Sequence, residues 1–304
     1  MGKDRKARVI ILGCGYLGYN LYNLLADRFH TELWGIESPY SSLVKAMKRI
    51  NVFDEAAMRQ EDLQDAVIID AAGLIANNAR AEQEEETIEA RVRTPYRSLM
   101  NALNGKNIRQ FIFFSSGGTI YGNTEQPIRE SDPIAPMSLY ARSKAAAEKL
   151  VSESSVPYLI LRLSNPYGGY QVAEKKQGVI PILIRKALKD EPFEMFVSPD
   201  SVRDYFYITD LGNAIAGLTE SRAVNEIVNI GSGQGTSLTD IIHKVEEATG
   251  KQIEVHRTHA EVPTVQSIVL NIEKANALCG YVPEVSLAEG IRRETARIRE
   301  EMGL

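Results

Sequence analysis

The 304-residue chain has only two cysteines, Cys14 and Cys279, and one tryptophan. Two cysteines cannot build a disulfide framework or a Cys-rich zinc site, and isolated thiols suit a reducing cytosol. The four histidines, His30, His243, His256 and His259, lack metal-ligand spacing and read as surface or loop residues. Positive charge is scarce: Lys plus Arg 35 against Asp plus Glu 40 gives a net charge of −5. Nucleic acids and anionic membranes need basic surface, so neither is expected as a partner. Long hydrophobic runs are missing too. The start is basic (Lys3, Arg5, Lys6, Arg8), but its apolar run ends at Gly13. That falls short of the roughly 7–15 residues of a signal core or the ~20 of a membrane span. A hydrophobic share of 44% and a charged share of 25% are those of a globular chain rather than a disordered one. The expectation is a cytoplasmic globular protein without a metal centre.

Short apolar runs alternate with helix-period segments. Residues 8–12, 31–36, 66–71, 110–115 and 158–163 read as buried strands. Residues 16–29, 41–48, 82–103 and 140–153 read as helices, the third kinked at Pro95. Such alternation predicts an α/β fold with a doubly wound parallel sheet. Past Asn165 the pattern loosens, with helices expected at 178–188, 238–249 and 284–300 and a short strand at 203–210.

Gly13-Cys14-Gly15-Tyr16-Leu17-Gly18 is Gly-x-Gly-x-x-Gly between the first strand and the first helix. Glycines there allow a tight turn and close approach of backbone to a pyrophosphate, and the helix N-terminus favours its charge. Tyr16 and Leu17 either touch that cofactor or pack the helix start. Glu37 follows the second strand at the distance where a carboxylate binds ribose hydroxyls. No arginine follows it immediately to hold a 2′-phosphate, which favours NAD over NADP. The alternative is a glycine turn with no nucleotide.

Tyr140 and Lys144 are four residues apart, on one face of the expected helix. A free phenol releases its proton near pH 10, and a lysine cation beside it favours the phenolate. The pair then suits proton exchange with a sugar hydroxyl. In a chain with 13 tyrosines the spacing alone says little. Its position after a nucleotide turn and after a strand ending in Ser115-Ser116 gives it weight.

The run Phe113-Phe114-Ser115-Ser116-Gly117-Gly118-Thr119-Ile120-Tyr121-Gly122 resembles the central motif of extended short-chain dehydrogenases/reductases, most of all the nucleotide-sugar epimerase/dehydratase branch. Tyr140 to Lys144, Arg162 to Gly168, Arg203-Asp204-Tyr205 with Asp210, and Asn229 to Gly233 match the same family in order. The resemblance implies a Rossmann domain of residues 1–165 with 205–230, and a smaller substrate lobe of 166–204 with 231–304. It implies Tyr140 as catalytic base and acid, Lys144 as its partner and holder of the nicotinamide ribose, and bound NAD. Asn51, Val52, Ala72, Gly73 and Ser115 would lie along the cofactor. Asn165 and Arg203 would contact a nucleoside-diphosphate sugar, a guanidinium fork suiting a diphosphate. A homodimer through the helices at 82–103 and 140–153 is likewise implied. Pocket walls are expected from loops 119–125, 167–177 and 198–203.

The chain departs from the family pattern in places. Leu12 stands at the first glycine of Gly-x-x-Gly-x-x-Gly, Asn51 at the adenine-side aspartate, and Arg91 near the asparagine of the later helix. Gly117 occupies the position of the Ser or Thr that bonds the reacting hydroxyl, leaving Thr119 or Ser116 to supply it. A Thr-Asp-Glu run typical of the 4,6-dehydratases is absent, which disfavours loss of water. Three functions remain: an epimerase that oxidises C4 transiently, an NAD(P)H-dependent reductase of a 4-keto-6-deoxy sugar nucleotide, and a non-catalytic dinucleotide-binding protein.

Overall fold

The computed structural model describes residues 6–77, 79–122, 127–172, 178–258 and 266–304. Lys3, Arg5, His259 and parts of two expected pocket loops (123–125 and 173–177) lie outside the described residues. The strands are β1 (Arg8–Leu12), β2 (His30–Gly35), β3 (Met47–Arg49), β4 (Val67–Asp70), β5 (Gln110–Ser116), β6 (Tyr158–Leu163), β7 (Asn165–Tyr167), β8 (Phe193–Met195), β9 (Val202–Tyr207), β10 (Glu226–Ile230), β11 (Gly235–Ser237), β12 (Val255–Arg257) and β13 (Ser267–Ile268). The helices are α1 (Tyr16–Leu25), α2 (Glu55–Arg59), α3 (Glu84–Ile88), α4 (Thr94–Leu103), α5 (Gly117–Ile120), α6 (Leu139–Ser152), α7 (Val179–Leu188), α8 (Ile208–Ser221), α9 (Leu238–Thr249), α10 (Glu273–Cys279) and α11 (Leu287–Met302).

Seven strands form one parallel sheet in the order β10-β6-β5-β4-β1-β2-β3. Its central strands read as unbroken apolar runs because both faces are covered. Successive side chains then enter different cores. Ile11 and Ile112 pack with Leu21 of α1 and Leu211 of α8, whereas Ile10 and Phe111 pack with Leu99 of α4 and Val151 of α6. This is the expected doubly wound α/β fold. Strand β9 carries a second sheet, pairing with β11, β13 and β7, and β8 pairs with β12. Among the described residues, no helix is long and apolar enough to cross a membrane.

Four features differ from expectation. Residues 41–48 are not a helix. Ser41–Leu43 is a single 3-10 turn, and Met47–Arg49 pairs beside β2 as the edge strand β3. The Ser38 and Ser41 hydroxyls take local backbone bonds to the 38–41 turn, and these compete with helix. The first helix stops at Leu25, whose carbonyl accepts from both Arg28 and Phe29. The strand expected at 203–210 ends at Tyr207, so Asp210 belongs to α8. The break expected at Pro95 is a π-turn over Glu89–Arg93 between α3 and α4, where the Thr94 N–H reaches back five residues to the Glu89 carbonyl. Proline has no N–H to continue the ordinary ladder, and the widened turn absorbs the loss.

Candidate active site

The glycine turn joins β1 to α1 at the C-terminal edge of the sheet. Gly13 has φ +97°, donates its N–H to Trp34 at 2.7 Å, and would bring a Cβ within 2.8 Å of Ala72 backbone. A Cβ on Gly18 would lie 1.9 Å from the Gly13 carbonyl oxygen. These two glycines let strand, turn and helix close on one another. Gly15 differs: nothing lies within 4 Å of its Cβ direction. No side chain caps the first turn of α1, so its N–H groups face outward for an anion.

Tyr16 does not stand free beside this turn. Its hydroxyl donates to the Gly168 carbonyl at 2.7 Å, and Asn20 one turn on brackets Tyr170 through its N–H and carbonyl, both at 2.9 Å. The start of α1 is thereby tied to the chain leaving β7. Leu17 packs into the core. Glu37 is exposed, with its carboxylate 3.3 Å from Arg49. The arginine absent from the neighbouring sequence is delivered by β3. Asn51 is exposed and its side-chain oxygen accepts the Phe53 N–H at 3.1 Å, while Val52 is buried. Gly73 is exposed past β4, and Ala72 donates to Asp70 at 3.0 Å. Ser115 is buried, and its hydroxyl has no partner among the described residues.

Helix α6 is capped by Ser138, whose hydroxyl accepts the Ala141 N–H. Tyr140 is therefore in its first turn. The Lys144 ammonium donates to the Phe114 carbonyl at 2.7 Å and lies 5.8 Å from the Tyr140 ring centre. Ser116 and Thr119 meet, the Thr119 hydroxyl donating to Ser116 Oγ at 2.9 Å. Gly117 has no room for the family side chain: a Cβ there would lie 2.6 Å from Leu270 Cδ1 and 3.0 Å from the Arg162 carbonyl.

Asn165 donates to the Asp204 carbonyl at 2.9 Å. The Arg203 guanidinium donates to the Val202 and Gln266 carbonyls at 2.8 and 3.2 Å, and burial pulls it below its ordinary pKa. Asp204 is fully buried, and its carboxylate accepts from Ser232 N–H and O–H, Gly233 N–H and Leu270 N–H. Burial pushes its pKa up and those bonds oppose the push. Among the described residues, no cluster of three His, Cys, Asp or Glu could hold a metal.

Sequence reasoning missed Asp70, Tyr96, Glu148 and the Tyr121–Arg162–Asn229 contacts. The signal was an ionisable residue inside an apolar strand, as in YLILRL and VIID, where burial demands a partner.

Residues 9–231 match the NAD dependent epimerase/dehydratase family. A dTDP-4-dehydro-6-deoxyglucose reductase of Escherichia coli is 36% identical over 62% of this chain, a stretch that takes in 61% of that protein's length. A putative UDP-glucose 4-epimerase of Methanocaldococcus jannaschii is 32% identical over 79% of this chain and 82% of its own. The structure of Thermus thermophilus UDP-glucose 4-epimerase in complex with NAD superposes with a TM-score of 0.83 at 25% identity, over 96% of this chain and 99% of that one. The chain belongs to the NAD dependent epimerase/dehydratase family.

Proposed function

We propose that this protein is a nucleotide-sugar 4-epimerase that oxidises C4 of an NDP-hexose transiently with bound NAD. The observation that carries it is that Lys144, one helical turn from Tyr140, anchors on the end of β5, with the Ser116–Thr119 hydroxyl pair just past that end and only β4 between β5 and the strand that leads into the glycine turn.

The chain fits the dinucleotide. Gly15 leaves a bare cradle that any Cβ would begin to fill, and the unpartnered Ser115 hydroxyl waits for a polar group. Gly13, Gly15, Gly18 and the start of α1 would hold the pyrophosphate, with Leu17 in packing support. Glu37 would hold the adenine-side ribose, and Asn51, Val52, Ala72 and Gly73 would flank the cofactor. NAD supplies a hydride acceptor that returns what it takes.

Tyr140 accepts the proton of the C4 hydroxyl and gives it back when the other face of C4 is reduced. Lys144, anchored on the Phe114 carbonyl, holds positive charge beside that phenol and binds the nicotinamide ribose. Ser116 and Thr119 hydrogen-bond the reacting oxygen in place of a residue at 117. Arg203 and Asn165 hold the diphosphate and sugar. Residues 1–165 with 205–230 act as the cofactor domain and 166–204 with 231–304 as the substrate lobe. We assign the protein a homodimeric state through the exposed sides of 82–103 and 140–153, and a cytoplasmic location, which suits its two free thiols.

The second reading is a 4-keto-6-deoxy sugar reductase, favoured by the E. coli relative. One assay separates the two. Incubation with UDP- and dTDP-hexoses and no added cofactor is expected to yield the C4 epimer by NMR, with NAD retained on the denatured protein at about one per chain. Stoichiometric oxidation of added NADH or NADPH by a keto sugar, without epimer formation, overturns the epimerase.

A further inference from the structure

Asp70 ends β4 as a carboxylate only 2% exposed. Its register partners are Leu12 on β1 and Phe113 on β5, so neither flanking strand offers it a charge at that level. Asp70 and Phe113 leave the sheet on the same face, the one covered by α4 and α6. From α4, the Tyr96 hydroxyl donates to Asp70 Oδ2 at 2.6 Å, while the Ala72 N–H holds Oδ1 at 3.0 Å. The Tyr96 ring stands edge-on to Phe113 at 5.5 Å, and the Lys144 ammonium of α6 lies over that same Phe113 ring at 5.0 Å. Asp70, Tyr96 and Lys144 thus surround one aromatic ring.

The ionisable groups facing Asp70 are Tyr96 from α4 and Lys144 from α6, and Tyr96 in turn feels Tyr140. In so dry a setting charges act on one another over several ångströms.

We propose that Asp70, held in place by Tyr96, is a positioning charge for the Tyr140 and Lys144 pair: its carboxylate lies buried beside the Phe113 ring that the Lys144 ammonium covers, and it sets how readily Tyr140 yields its proton. Burial raises the Asp70 pKa, and the Tyr96 bond, the Ala72 bond and the Lys144 charge oppose that rise. An ionised Asp70 offsets part of the lysine charge and so restrains phenolate formation at Tyr140. Asn at this position keeps the shape and removes the charge.

The proposal rests on Tyr140 being the reacting phenol, and the test separates the two. The tyrosinate absorbance of the purified chain is titrated against pH, with the Tyr140→Phe curve subtracted to isolate Tyr140. In Asp70→Asn the Tyr140 midpoint is expected to fall by roughly one pH unit, a tenfold change in phenolate fraction, and the acid limb of kcat to move the same way with sugar KM unchanged. Tyr96→Phe, which spares the carboxylate but loses its best donor, is expected to move the midpoint in the same direction by less. An unmoved midpoint in folded Asp70→Asn protein overturns the proposal while leaving the role of Tyr140 intact. Should Asp70→Asn fail to fold, an unmoved Tyr96→Phe midpoint overturns it equally. Full activity in Tyr140→Phe sinks the assignment of Tyr140 itself, and the proposal with it.

Discussion

Arg162 of β6 grips Glu148 of α6 with both prongs of its guanidinium, Nε to Oε1 at 3.0 Å and Nη2 to Oε2 at 2.7 Å, and both side chains are buried. Glu148 is one turn beyond Lys144 and two beyond Tyr140 on the same helix face. The third Arg162 nitrogen donates to the Tyr121 hydroxyl at 2.8 Å, and that hydroxyl donates to Asn229 Oδ1 at 2.8 Å. The helix bearing the phenol is thereby fastened to the segment bearing Ser116 and Thr119. Removing one partner leaves a buried charge alone. Arg162→Met is expected to cost about 3–5 kcal/mol of unfolding free energy in urea titration, and Arg162→Met with Glu148→Leu to recover part of that loss. Equal stability of the single and double variants would show that the pair is not coupled.

Gly18 and Gly15 of the first turn are expected to part company. Gly18→Ala would drive a Cβ into the Gly13 carbonyl, so a thermal melt should show a large loss of stability. Gly15→Ala meets nothing in the protein and keeps an ordinary backbone, φ −96°. It should melt within a few degrees of the wild type yet bind NAD at least ~10-fold more weakly by calorimetry, since only the ligand would meet its methyl.

Restoring the family hydroxyl at 117 should not help. In Gly117→Ser the new Cβ meets Leu270 Cδ1 at 2.6 Å and the Arg162 carbonyl at 3.0 Å. Overpacking of this kind costs about 1–3 kcal/mol. Denaturant midpoints and kcat should both fall, and Leu270→Ala in the same chain should restore part of the stability.

Under the proposed mechanism Ser116 and Thr119, joined by a hydrogen bond, act as one unit. Ser116→Ala and Thr119→Val are each expected to lower kcat by about 10²-fold at steady sugar KM, the scale of one lost donor to a reacting oxygen. The double variant should fall little further, because groups that work together are not additive. Additive losses would mean that the two hydroxyls meet the substrate separately.

Glu32 supplies an acid-stability test. Burial alone would raise its pKa, but bonds from Arg8 at 2.6 Å and from the Trp34 ring N–H at 3.0 Å outweigh that and hold it below its usual 4.5. A carboxylate depressed in the folded state adds stability above the unfolded pKa and loses it as pH falls through the folded value. Glu32→Gln should therefore flatten the fall in stability below about pH 4.5 in urea titrations and lower stability at neutral pH.

Features whose physics is local were legible in the chain alone. The parallel sheet was legible because strands buried on both faces are near-continuous apolar runs, as in residues 9–12 and 111–114. The glycine turn and the Tyr140 to Lys144 spacing were legible because backbone freedom and helical period are properties of neighbours in the chain. Residues 41–48 misled because strand β3 exists only through its pairing with Leu33–Gly35, and an edge of three residues carries no period. Long-range folding brings Leu270 into the space at Gly117, Arg49 to Glu37 and the Tyr16 hydroxyl to Gly168. The same folding gathers Asp70, Tyr96 and Lys144 around the Phe113 ring, from three separate elements. Charge and packing act through space, so partners brought together by a crossover leave no spacing in the chain to read.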